Sequence, residues 1–179
     1  IILRIKGENN MSLLDIAKSI KKEGFDPRKD SVNGPAPLPA GEYQAILKSA
    51  KFNISDKGWE SLQYCFEIRG GDYDGRSEYA TFGTLDTWNG KDISWSVQRT
   101  IKFFQKALAF ADDAPLKADF EDGKALEEAL QRKAVGSYFK LIIIETESKG
   151  KTYRSYDLDE AEGLPTAAGL EISDDDLPF

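Results

Sequence analysis

Trp59-Glu60-Ser61-Leu62-Gln63-Tyr64-Cys65-Phe66-Glu67-Ile68-Arg69 alternates without a break. Leu62, Tyr64, Phe66 and Ile68 fall on one side, and Trp59, Ser61, Gln63, Cys65 and Glu67 on the other. A period of two over so many residues is the mark of a strand with one face in a core. Cys65 is the chain's only cysteine, which excludes an internal disulfide; its place in this run reads as a small core residue.

Working outward, Gly41 to Phe52 reads as a preceding strand, with Tyr43, Ala45 and Leu47 on one face and Gln44, Ile46, Lys48, Ala50 and Phe52 on the other. Ser55-Asp56-Lys57-Gly58 supplies the turn between the two. After Gly70-Gly71 and Asp74-Gly75, Arg76 to Leu85 forms a third strand, with Glu78, Ala80 and Phe82 opposed to Ser77, Tyr79 and Thr81. Then the period changes. Trp88 to Lys91 is a loop, Ser94 caps a helix striped by Val97, Ile101, Phe104 and Leu108, and Ala125 to Val135 makes a shorter helix. Ser137 to Thr146 and Lys151 to Leu158 are strands four and five around a Glu147-Ser148-Lys149-Gly150 turn. Three strands, a helical segment and two strands in about 120 residues is the topology of the OB-fold. The expected class is mainly β, a five-stranded Greek-key barrel with a helix between strands 3 and 4.

The flanks differ from this body. Residues 1–10 precede Met11 and contain Lys6-Gly7-Glu8, whose codons can spell a ribosome-binding sequence, so they read as a non-native leader. Residues 11–37 combine a short amphipathic helix (Leu13, Leu14, Ile16, Ala17, Ile20, with Ser12 as N-cap) and an arm bearing Pro27, Pro35 and Pro37. Residues 38–158 are the barrel, and residues 159–179 form an acidic tail expected to be disordered. The net charge of −7 lies wholly in that tail. Asp159, Glu160, Glu162, Glu171 and Asp174 to Asp176 are seven of the 31 acids, and the other 24 match the 24 Lys and Arg of residues 1–158. A neutral body permits a basic groove.

The chain ends Asp174-Asp175-Asp176-Leu177-Pro178-Phe179, an anionic run closed by an apolar pair around a stiffening proline. This ending resembles the acidic C-terminal tip of phage and bacterial single-stranded DNA-binding proteins. Leu-Pro-x-Gly-x-Tyr at Leu38 to Tyr43 and Gly-Gly-x-Tyr-x-Gly-Arg at Gly70 to Arg76 also resemble phage-encoded proteins found among recombination functions. The likeness implies sequence-independent binding of single-stranded DNA in replication, recombination and repair. It also implies that Asp174, Asp175, Asp176, Leu177, Pro178 and Phe179 recruit replication and recombination enzymes, with Phe179 the main anchor. No cofactor is expected, and the sequence leaves a homo-oligomer open.

A sequence-tolerant binder needs ring faces for bases and cations along the backbone; stacking is worth about 1–3 kcal/mol per base. On an OB-fold the platform is the outer face of strands 2 and 3, rimmed by the loops joining strands 1–2 and 4–5. That nominates Trp59, Tyr79 and Trp88 for stacking, and Lys48, Lys51, Lys57, Arg76, Lys140, Lys149, Lys151 and Arg154 for phosphates, with Tyr153 beside them. Tyr79 is open between stacking and filling the barrel, because a one-residue slip reverses strand 3. Trp59 is expected to be exposed, and Trp95 to staple a helix start into the core.

A protein without histidine has no His-based metal site and no His general base. Nothing resembles a phosphate-cradling Gly-rich loop, and no third ligand or Lys base stands at telling spacing from an acid pair, so an enzyme is not expected. The competing enzymatic reading is a metal-dependent nuclease using Asp72 with Asp74 or Asp112 with Asp113, residues that equally form turns. Two non-enzymatic readings compete as well: a strand-annealing recombination protein, and a module that mimics DNA. No stretch reaches the length of a membrane span, and the expected compartment is the cytoplasm.

Overall fold

The computed structural model describes residues 12–162. The proposed leader and the C-terminal tip lie outside these residues. The chain divides between Pro37 and Leu38 into two compact units.

In the first unit, α1 (Leu13–Lys22) opens on a capping box. Ser12 Oγ accepts from the Asp15 N–H at 3.2 Å, and the Asp15 carboxylate accepts from the Ser12 N–H at 3.3 Å. Lys21 and Lys22 stand in its last turn, where cations complement the helix dipole. Its apolar stripe, Leu13, Leu14, Ile16 and Ile20, is exposed.

The second unit is mainly β. Five strands, β1 (Gly41–Ile54), β2 (Glu60–Ile68), β3 (Ser77–Gly83), β4 (Tyr138–Ser148) and β5 (Lys151–Glu160), form one antiparallel sheet in the order β3-β2-β1-β4-β5. Between β3 and β4 come a short hairpin pairing Thr87–Trp88 with Lys91–Asp92, α2 (Ser94–Phe110), a 3₁₀ turn (Lys117–Phe120) and α3 (Gly123–Lys133).

The expected faces hold for β2, whose Leu62, Tyr64, Phe66 and Ile68 are all buried. They fail halfway along β1, where Ala50 is 1% exposed and Phe52 packs on the core. The register slips between Leu47 and Ser49, so one extra residue at Lys48 reverses the alternation beyond it. β4 pairs with Gly41 to Ile46, where its own first residue, Tyr138, is reached, and the rest of β1 runs on beyond it. Side chains of α3 take up the freed backbone: Glu127 Oε2 accepts from the Phe52 N–H at 2.5 Å, and Gln131 Nε2 donates to the Ala50 carbonyl at 3.2 Å.

Helix α2 inserts Phe103 among Phe82 (4.4 Å between centroids), Tyr64 (4.8 Å) and Phe66 (6.3 Å), so the core is an aromatic cluster between helix and sheet. Its buried face is Thr100, Phe103, Phe104, Ala107 and Leu108. That face is turned from the expected stripe, leaving Val97 and Ile101 half-exposed, because α2 packs on β3 and β5 together. Ser94 is not the cap: it is the first helical residue, and its N–H donates to Asp92 Oδ1 at 2.8 Å.

Among the described residues no backbone pairing joins the two edges β3 and β5, so the sheet is not closed. Side chains cross the gap. Glu78 Oε1 on β3 receives Arg154 Nε of β5 at 3.0 Å and the Tyr156 hydroxyl at 2.7 Å, with Arg154 Nη2 2.9 Å away. Helix α2 spans the same seam. Thr100 Oγ1 donates to the Gly83 carbonyl at 2.5 Å, and Lys106 Nζ reaches the Leu158 carbonyl at 3.0 Å and Asp157 at 2.7 Å. The helix thus covers an edge that an open sheet would leave bare.

Two buried carboxylates in the helical segment link this packing to pH. Burial works to raise Glu127, but the Lys124 ammonium and the Phe52 N–H outweigh it and hold the carboxyl below its ordinary value. The Leu116 N–H, then Lys133, do the same for Asp119. Both groups have folded values below their unfolded ones, so the stability they supply is complete above the unfolded range of about 4 and is lost as pH falls through the folded values. Urea unfolding between pH 6 and pH 3 should show stability falling over this window, with a shallower fall in Glu127→Gln and Asp119→Asn. An identical slope in both variants would remove them as the source.

Candidate nucleic-acid interface

The alternation of β2 and β3 dictates an outer face, and register fixes its rows. Lys51 stands opposite Gln63, and Gln63 opposite Thr81; Ser49 opposite Cys65, and Cys65 opposite Tyr79. Ala80 and Phe82 are buried while Tyr79 is 54% exposed, which settles Tyr79 as outward-facing and outside the core. Cys65 shares that face, half-buried, and is not a core residue. The neighbouring Cys65 thiol raises the Tyr79 hydroxyl above its ordinary value.

Two rows further along, the ring of Trp59 lies on Gly83. A methyl there would sit 2.7 Å from Trp59 Cζ2, so the bare glycine is what lets the indole approach the strand this closely. Trp88, brought in by the short hairpin, meets Trp59 edge to face at 5.2 Å and 77°. Trp59 is consequently half-buried, held between a glycine and a second indole, and not fully exposed as expected. Gly83 and Tyr79 are four residues apart on β3, about 13 Å of strand. The face therefore carries a tryptophan pair at one end and a tyrosine at the other.

The nominated cations divide into three groups. Lys51 on β1 and Lys57 in the β1–β2 turn are exposed and, among the described residues, make no ion pair; Lys48, at the bulge, lies 3.7 Å from Glu67, which also holds Arg69 at 2.9 Å. These border the outer face. Lys149 and Lys151 are exposed at the tip of the β4–β5 hairpin, with Tyr153 53% exposed beside them. The third group is already engaged. Arg154 is taken by Glu78 and, through Nη1, by Glu145 at 2.8 Å. Lys140 lies between Glu162 at 2.7 Å and Glu42 at 3.6 Å, and Glu162 above all keeps its ammonium charged beyond the usual range. Arg76 sits in the β2–β3 connection, its guanidinium 5.7 Å from the Tyr73 ring.

Trp95 reverses its expectation. It is 62% exposed at the start of α2, with the Arg99 guanidinium 5.6 Å from its ring centroid. The signal that marks it in the sequence is the pair Trp95 and Arg99 at i, i+4 on a helix whose apolar face lies elsewhere. One acid of each pair proposed for a nuclease serves its own turn: Asp74 Oδ1 accepts from the Gly70 N–H at 2.6 Å, and Asp113 Oδ1 from the Ala114 N–H at 2.8 Å. Among the described residues no three His, Cys, Asp or Glu side chains group as a metal site, and no helix is long and apolar enough to cross a membrane.

An exposed tyrosine and a half-buried indole pair beside cations on one sheet face can stack bases and hold phosphates without reading sequence. No protein-family model matches this chain, and neither does any curated protein.

Proposed function

We propose that the protein binds single-stranded DNA without sequence preference, on the outer face of β1, β2 and β3, and that it is a binding protein and not an enzyme. The observation that carries this reading is the placement of Tyr79, Trp59 and Trp88 on one sheet face bordered by Lys48, Lys51 and Lys57. The strand order, with its helical segment between β3 and β4, supports an OB-type barrel. In this reading Arg154, Glu78, Tyr156 and α2 close the seam in place of backbone pairing. The β4–β5 hairpin, with Lys149, Lys151 and Tyr153, rims the face as the corresponding loop does in such barrels.

The tail's part in the proposal rests on sequence alone. Asp174 to Phe179 recruit replication and recombination proteins, the three carboxylates drawing a basic partner surface and Phe179 filling a pocket in it.

A salt series on poly-dT against duplex DNA tests the reading. Poly-dT affinity should fall linearly on a double-logarithmic plot, with a slope of about −0.7 per phosphate contacted, and should exceed duplex affinity at every salt concentration. The chain ended at Ser173 should bind poly-dT at least as tightly while losing capture of partner enzymes. Equal affinity for duplex and single strand, or no binding in dilute buffer, would overturn the proposal.

A further inference from the structure

The outer sheet face does not end at Trp59. The Trp59 ring and Ser96 Oγ of α2 approach the same point above Gly83, at 2.7 and 3.4 Å from where a Cβ would stand, so the platform runs directly into the start of the helix. Trp95 directly precedes Ser96 in the first turn of the helix. From there Trp95, Arg99, Lys102 and Lys106 follow at i, i+4, i+7 and i+11, one face of α2. That face borders a groove of about 540 Å³ whose far wall includes Ile144 and Ser155 of β4 and β5. Lys106 is neutralised by Asp157, whereas among the described residues neither Arg99 nor Lys102 makes an ion pair.

We infer that a bound strand crosses the β3 edge and continues along this groove, with Trp95 taking a base and Arg99 and Lys102 taking phosphates. The inference rests on the outer-face reading and extends it to a second segment of the same ligand. A polynucleotide fits the groove better than an acidic peptide does. The exposed indole offers a further ring face beyond the proposed platform, and its Arg99 neighbour supplies a cation at stacking distance.

Dissecting the two segments by oligomer length tests this on the full chain, with dT oligomers at the short and long ends of the roughly 4–16 nucleotides that one barrel of this kind covers. Trp95→Ala should leave short-oligomer affinity within about twofold and weaken the long oligomer about tenfold. Arg99→Gln with Lys102→Gln should reduce the long-oligomer salt slope by about 1.4, two phosphates' worth, and leave the short-oligomer slope unchanged. These residues are on the surface, and unaltered urea unfolding would show that the fold is intact.

Unchanged long-oligomer binding in both variants, with tight binding by the parent, overturns the inference and leaves the outer face standing. The same holds if Trp95 fluorescence answers only to a synthetic Glu171–Phe179 peptide and not to the long oligomer. A parent protein that holds neither oligomer removes both readings together.

Discussion

Arg154→Met should cost the protein about 2–4 kcal/mol, a large share of the stability of a domain this size. Glu78 has a side chain only 13% exposed, and it draws on Arg154 Nε, Arg154 Nη2 and the Tyr156 hydroxyl through a single oxygen. Without the guanidinium, a carboxylate remains in a half-dry seam with one donor. The figure lies at and below the range for breaking a fully buried pair because Arg154 keeps 22% of its side chain in solvent, where water screens the charge. Tyr156 cannot supply the missing cation: burial first, and then Glu78, push its hydroxyl up to about 12, so it stays a neutral donor at physiological pH.

The double replacement Arg154→Met with Glu78→Leu should recover much of the loss, since two apolar groups leave no stranded charge. Urea unfolding with a common m-value measures both. A single variant that loses less than about 0.5 kcal/mol would mean that α2 alone holds β3 to β5, through Thr100 and Lys106.

What the sequence made legible was whatever depends on neighbours in the chain. Period-two runs located four of the sheet's strands and the Glu147 to Gly150 turn the fifth, and the unbroken run from Leu62 to Ile68 gave the correct buried face because nothing interrupts its register. The bulge at Lys48 was not legible. Lys48 carries no glycine or proline to mark it, and the insertion is visible only in pairing with β2. The fates of Arg154 and Lys140 were hidden for a related reason: their partners Glu78 and Glu162 are 76 and 22 residues away in the chain. A lysine or arginine on a strand gives no local sign of whether a carboxylate awaits it across a seam. Trp95 and the rotated face of α2 share that cause, since which side of a helix is buried depends on the sheet edges it bridges.

Tyr79→Ala should weaken poly-dT binding about 5- to 150-fold, the loss of one stacked base at roughly 1–3 kcal/mol. Tyr79 is the cleanest ring to remove because it is exposed and its neighbour Cys65 is a surface residue, so the fold should be indifferent to its loss. Trp59 is less clean: its removal uncovers Gly83 and strands Trp88, mixing a packing defect with any lost base contact. Salt separates ring from cation. Stacking displaces no counterions, so Tyr79→Ala should lower the whole binding curve while leaving its slope on log salt unchanged. Lys51→Gln and Lys57→Gln should each reduce the slope by about 0.7 with a smaller loss in dilute buffer. The two kinds of variant thus move different parameters of one titration, which a nonspecific loss of folded protein cannot imitate. Tyr79→Ala with an unaltered curve at every salt concentration would take the tyrosine out of the interface and leave the tryptophan pair as its only ring platform.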